Sequence, residues 1–166
     1  MKPVHTLAIV LVSILATACS TTEPANQEAQ RMTMKDLSQT PAYAWFPAEQ
    51  SVYTPNTDMV RKVSEEYDPA TEKVYIFVKP ACSCKGTMKL FPQIVKTMEA
   101  AGIDMNHVEI WSMRSESDTH PYMSTMAISK LPEVFITSGG SVKAHITVAE
   151  FNEMNADSLI ATAVSR

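Results

Sequence analysis

Glycine and cysteine are scarce in this chain, and neither sign of charge dominates it. Its 14 basic residues are outnumbered by 18 acidic ones, and no basic stripe runs along any segment, which argues against nucleic acid as a partner. Two of the four glycines are adjacent, and Ser138-Gly139-Gly140 reads as a hairpin turn, not a phosphate loop. The acidic residues form no motif for paired-carboxylate catalysis. There is no internal repeat, and the longest apolar run falls short of the ~20 residues that cross a bilayer.

That run lies at the N-terminus. Lys2 supplies a minimal positive region, residues 6–15 (TLAIVLVSIL) are uncharged, and Ala16-Thr17-Ala18-Cys19 follows with the small residues a signal peptidase requires. The stretch resembles the lipobox of bacterial lipoproteins, with Ala16 where Leu is commoner. The resemblance implies a signal peptide over residues 1–18 and lipidation of Cys19. Ser20 after the cysteine resembles the outer-membrane sorting pattern, which implies a lipid anchor in the outer membrane facing the periplasm. An ordinary secretory signal cleaved after Ala18 is the alternative. Residues 20–39 are polar and read as a flexible tether, so that residues 19–42 form a lipidated linker. Tyr43, Trp45 and Phe46, flanked by Pro41 and Pro47, begin a packed domain over 43–166, long enough for one real core.

From residue 51 onward strand and helix patterns alternate. Residues 51–53 suit a short strand. Asn56 or Thr57 can cap a helix to Tyr67 with Met59, Val60 and Val63 on one side, and Asp68-Pro69 breaks it. Residues 74–78 (VYIFV) form a continuous β-rich run that suits a central strand buried on both faces. A long helix over 85–101 follows, with Met88, Phe91, Ile94, Val95 and Met98 at helical spacing and a kink expected at Pro92. Residues 108–113 read as the next strand and 121–128 as a short helix opened by Pro121. Residues 134–137 and 141–146 form an antiparallel hairpin, and Thr147 with Glu150 fits a capping box that opens a last helix. The expected order is β-α-β-α-β-α-β-β-α.

Cys82-Ser83-Cys84 falls between a buried strand and a helix start. If Cys19 carries lipid, these two thiols are left as a pair in an oxidising compartment. The loop they close is too small to restrain the unfolded chain, so a structural staple is a poor account of them. At a helix start, unpaired N–H groups and the helix dipole lower a thiol pKa, and the thiolate is the species that attacks a disulfide. Cys82 is the candidate nucleophile and Cys84 its resolving partner, with Lys85 adding a nearby positive charge.

Residues 74–85 (VYIFVKPACSCK) resemble the strand, active-site turn and helix start of the thioredoxin fold. Ile128-Ser129-Lys130-Leu131-Pro132, followed by residues 133–142 (EVFITSGGSV), resembles its cis-proline segment and closing hairpin. The resemblance covers roughly residues 51–166. It implies an α/β, thioredoxin-like fold: a central mixed β-sheet flanked by helices, with a cis-proline loop facing the Cys-Ser-Cys turn. It further implies that Pro132 is cis and that the backbone of Leu131 pairs with a substrate strand. The family's usual Cys-x-x-Cys is one residue longer, Ala81 stands where a Trp often precedes the first Cys, and Ile76 aligns with a buried Asp. A one-residue spacer restricts the turn and is expected to strain the oxidised form, favouring oxidase or isomerase exchange over strong reduction. The implied activity is a periplasmic, membrane-tethered thiol–disulfide oxidoreductase needing no organic cofactor. Its implied partners are cysteine-containing exported proteins and a redox partner.

Two other readings stand beside it. Paired thiolates suit copper or another soft metal, and Cys82, Cys84 and His120, with Met113, Met123 and Met126 nearby in the pattern, would be the ligands. Most of the 11 methionines, however, sit at core spacing, as Met88 and Met98 do. The fold could also serve as a non-catalytic interaction module. His107 and His145 lie near strand ends without a carboxylate or cysteine at motif spacing, and Trp45 and Trp111 read as packing residues.

Overall fold

The run VYIFV does become the middle of the molecule. In a computed structural model describing residues 26–166, β2 (Glu72–Val78) is buried at every position but Lys73. It pairs in parallel with β3 (Val108–Ser112) and antiparallel with β4 (Glu133–Ser138). β4 turns back into β5 (Ser141–Thr147) through Gly139 and Gly140, both at positive φ (57° and 84°), as a two-residue hairpin loop demands. The sheet has five strands in the order β1-β3-β2-β4-β5.

Strand alternation divides the core in two. Val74, Ile76 and Val78 join Val108, Ile110, Val134 and Ile136 on one face, where all five helices bury their apolar sides. Two of them are α3 (Thr57–Glu66) and α4 (Phe91–Ala100). Tyr75 and Phe77 join Trp111 and Phe135 on the other face. The helices therefore cover one face of the mixed sheet, and the irregular segment 113–132 covers the other.

Asn56 caps α3: its side-chain oxygen accepts from the amides of Asp58 (2.8 Å) and Met59 (3.4 Å). α4 buries Ile94, Val95 and Met98. The helical run expected over 85–101 is present, and its irregularity lies just ahead of Pro92. The residues ahead of it, Gly86–Leu90, wind as a π-helical turn that runs directly into the regular helix, and the Phe91 N–H bonds back to the Gly86 carbonyl in that wider pattern.

Several expectations are corrected. Within the polar stretch expected to be a tether, the described residues from 26 to 39 pack on the domain. β1 (Gln30–Met32) pairs antiparallel with β3, and the amide of Ala29 donates to Thr119 (2.8 Å). α1 (Met34–Gln39) follows, with a Thr33–Asp36 capping box and Leu37 fully buried. Three apolar anchors, Ala29, Met32 and Leu37, dock the segment, together with its ladder to β3, the Gln27 amide donating to Asp118 and Arg31 paired with Glu109. The packed part thus begins before Tyr43. Residues 51–53 form no strand. Pro47 opens α2 (Phe46–Val52), and Phe46 packs on Phe91 with ring centroids 4.8 Å apart. Residues 121–128 make only turns, because Tyr122 is drawn to the sheet, its ring against Tyr75 and its hydroxyl donating to Glu109 (2.6 Å). The Thr147–Glu150 capping box exists but caps a single 3₁₀ turn, Val148–Glu150. Asn152 and Asn155 then bind local backbone groups, and the last helix, α5 (Ala156–Val164), starts later. Residues 1–18, Ala16-Thr17-Ala18-Cys19 among them, and the expected lipidation at Cys19 lie outside the described residues.

Leu37→Ala should lower stability by about 2–5 kcal/mol, the range for emptying a fully buried leucine site. Denaturant unfolding of the soluble domain measures it. A change under about 0.5 kcal/mol, the range of surface sites, would show that this segment is not part of the cooperative fold.

Candidate active site

The cysteines sit where β2 leaves the sheet. After Val78 the chain passes Lys79 and Pro80 and reaches Ala81, whose φ of 51° is in the left-handed region that non-glycine residues rarely adopt. The amide of Ala81 donates to the carbonyl of Ala42 (3.2 Å), so the turn is held by the loop between α1 and α2. Cys82 and Cys84 are joined as a disulfide, with Cα atoms 5.3 Å apart, and both are half-buried. The Cys84 amide donates to Cys82 Sγ at 3.3 Å. The Cys84 carbonyl accepts from Met88 (3.0 Å), which carries the chain into the π-helical turn.

Cys82 also lines an open depression of about 290 Å³. Its other walls are Pro41, Ala42, Trp45, Ala81, Ser83 and Met88, an almost wholly apolar set. Trp45 is held there by its indole N–H, which donates to the Ala42 carbonyl (3.1 Å), and by edge contact with Phe91. Below it Tyr43 donates to Ser112 (2.8 Å), and burial pushes the Tyr43 hydroxyl pKa up to about 12. Trp45 packs as expected and in doing so also forms one wall of the depression.

The Leu131–Pro132 peptide is cis. A Cβ on Gly86 would lie 2.7 Å from Pro132 Cδ and 2.5 Å from Val148 Cγ2. Pro132 thus packs directly on the helix start two residues beyond Cys84, and only glycine permits the approach. Leu131 is itself buried, and neither its N–H nor its carbonyl has a backbone hydrogen-bond partner among the described residues.

Lys85 does not stand free beside the thiols. Its ammonium is paired with Glu153, and Lys89 one turn on is paired with Glu49. The soft-ligand set is not assembled at the cysteines either. His120 lies against the ring of Phe77 (4.7 Å), on the sheet face opposite α4, with Met113 and Met126 buried on that same face. Met123 is exposed. Among the described residues no three His, Cys, Asp or Glu side chains come together as a metal site. His145 does have a carboxyl neighbour: its Nε2 is 3.4 Å from Glu133, and its ring stacks on Phe135 at 4.4 Å. Spacing along the chain hid this contact, which crosses from β5 to β4.

No family model matches the chain, and no curated protein or solved structure matches it either. What stands is an α/β protein with a five-stranded mixed sheet and a close cysteine pair at the end of its central strand.

Two outcomes follow from this geometry. Gly86→Ala drives a methyl group into Pro132 and Val148 and should cost about 1–3 kcal/mol, the usual penalty of overpacking; thermal unfolding reads it, and an unchanged midpoint would refute the close approach. Burial holds the His120 imidazole below the ordinary histidine pKa, so as the pH falls the unfolded chain takes up this proton first. Stability from this group is present above the ordinary histidine pKa and is lost as the pH drops toward the folded value. His120→Leu should therefore flatten the decline in unfolding free energy between about pH 7 and pH 5, and a parallel decline would remove His120 from that account.

Proposed function

We propose that this protein is a thiol–disulfide exchange protein of the oxidase or isomerase kind, with a thioredoxin-like fold and a lipid tether at Cys19 on the periplasmic side of the outer membrane. The observation that carries the reading is Cys82 on the wall of an open apolar depression, with Cys84 as its bonded partner. A merely structural disulfide over so short a loop would add little stability and has no reason to face such a depression. The strand order, the single parallel pair and Pro132 packed beside the cysteine turn agree with the fold proposed.

In the oxidising direction a thiolate of an exported protein attacks Cys82 Sγ. The Cys82–Cys84 bond breaks and Cys84 leaves with the electron pair, taking up a proton. A second substrate thiolate then attacks the mixed disulfide at the substrate sulfur. The substrate leaves as a disulfide and Cys82 as a thiol, so two electrons and two protons have moved to the pair. A disulfide-bearing partner accepts them to close the cycle. In isomerisation the reduced Cys82 thiolate opens a substrate disulfide, and a substrate thiolate later displaces it, with no net electron transfer. The amide of Cys84, already directed at Cys82 Sγ, would stabilise Cys82 whenever it is a thiolate, as attacking or leaving group. The Leu131 N–H and carbonyl, which have no backbone partner among the described residues, would take a substrate strand by main-chain hydrogen bonds.

Cys82→Ser should abolish exchange, whereas Cys84→Ser should accumulate mixed disulfides with cysteine-containing peptides, resolved by non-reducing electrophoresis. Alkylation of the soluble domain across glutathione buffers should give a reversible two-electron transition that both variants lose. Equal activity in either variant and in wild type would overturn the assignment. A dithiol that shows no transition but holds Cu(I) would point to the soft-metal reading instead.

A further inference from the structure

Glu133, the first residue of β4, has no exposed surface at all. Its carboxyl group accepts the amide of Ser129 at 3.0 Å through one oxygen and the Ser129 hydroxyl through the other. Its own backbone is fixed in the sheet, in register with Phe77 of β2 and Thr147 of β5. Burying a carboxyl group is costly, and an apolar side chain is ordinarily the more stable choice at such a site. Phe135, the next residue on the same face, is such a side chain. What the carboxyl group does here is close the segment 129–133 into a short loop with both ends tied to the sheet. Leu131 and Pro132 lie between the two ties.

We infer that Glu133 is a positioning residue, which holds the Leu131 backbone in place to receive the peptide chain around a substrate cysteine. The inference rests on the thiol-exchange reading above. It adds a substrate requirement: an extended polypeptide flanking the reacting sulfur gains from this loop, whereas a small disulfide that offers no such strand does not. His145 of β5 lies 3.4 Å from the same carboxyl group. A loop held by two hydrogen bonds loses them together when the carboxyl group is removed. A glutamine there keeps both, its carbonyl accepting the Ser129 amide while its NH₂ donates to the Ser129 hydroxyl oxygen.

The test compares the second-order rate of exchange with an extended cysteine-containing peptide to that with glutathione disulfide, and takes their ratio in each variant. Glu133→Ala should lower the peptide-to-glutathione ratio by about ten- to a hundred-fold, the scale of loss for a misplaced substrate group, and Glu133→Gln should restore it. If Glu133→Ala does not fold, Ser129→Ala, which removes the hydroxyl donor alone, should lower the ratio in the same direction. An unchanged ratio in a folded Glu133→Ala or Ser129→Ala protein would overturn the positioning role, as would a Glu133→Gln protein no better than the alanine variant. Wild-type protein that exchanges with neither substrate would instead overturn the thiol-exchange reading itself, and this inference with it.

Discussion

The close approach at Gly86 is the contact on which the rest of the site depends. Three segments distant in sequence meet there: the helix start after the cysteines, the loop ending in Pro132, and the turn that begins at Val148. Each is anchored elsewhere. The helix is held by Phe91, Ile94 and Met98 in the core, the loop by Glu133 in the sheet, and the turn by the Thr147–Glu150 capping box. A side chain at residue 86 would separate all three. Since protein interiors respond to a single added methylene, the spacing between the cysteine turn and the Leu131 backbone is set by the absence of that side chain.

The same contact accounts for features that look unrelated. The π-helical turn at Gly86–Leu90 lies between the point where the helix must touch Pro132 and the point where it must put Phe91 under Trp45 and Phe46. A regular helix starting at Cys84 would satisfy one phase, and a wider turn lets it satisfy both. Pro92 follows the switch directly: it has no N–H to return to the turn before it, while the Phe91 N–H bonds back to the Gly86 carbonyl in the wider pattern.

Much of this was legible in the sequence where the signal was a side-chain pattern. The run 74–78, the cap at Asn56, the apolar spacing of Ile94 to Met98 and the Gly139-Gly140 turn each correspond to an element in the place expected. Patterns fail where main-chain bonds or distant partners decide. β1 is three residues long and contributes one buried side chain, so nothing in Gln30-Arg31-Met32 announces a strand until β3 is there to pair with it. Thr33-x-x-Asp36 ahead of a buried Leu37 was a readable helix start within a stretch whose polarity suggested a linker. At 121–128 a good local helix signal lost to Tyr122 reaching Glu109 and Tyr75, a choice that only the folded sheet offers. Glu133 and His145 were invisible as a pair because twelve positions of hairpin separate contacts that the β4–β5 ladder brings together.

Charge around the cysteines bears on how partners would be chosen. Lys85 and Lys89, the two cations on the helix start, are each matched by a carboxylate, Glu153 and Glu49, from other segments. The exposed Lys85–Glu153 pair adds little stability, but both pairs remove the isolated positive field that Lys85 alone would have given the thiols. Long-range steering of an acidic partner toward Cys82 by these two lysines is then weak; what is open beside Cys82 is the apolar depression walled by Trp45, with the Leu131 backbone as the strand contact proposed above. Recognition built from apolar contact and main-chain hydrogen bonds reads extension and exposed hydrophobic surface more than a particular sequence. Those are the properties of exported chains that have not finished folding, and they fit a site whose chemistry would be the making or rearranging of disulfides.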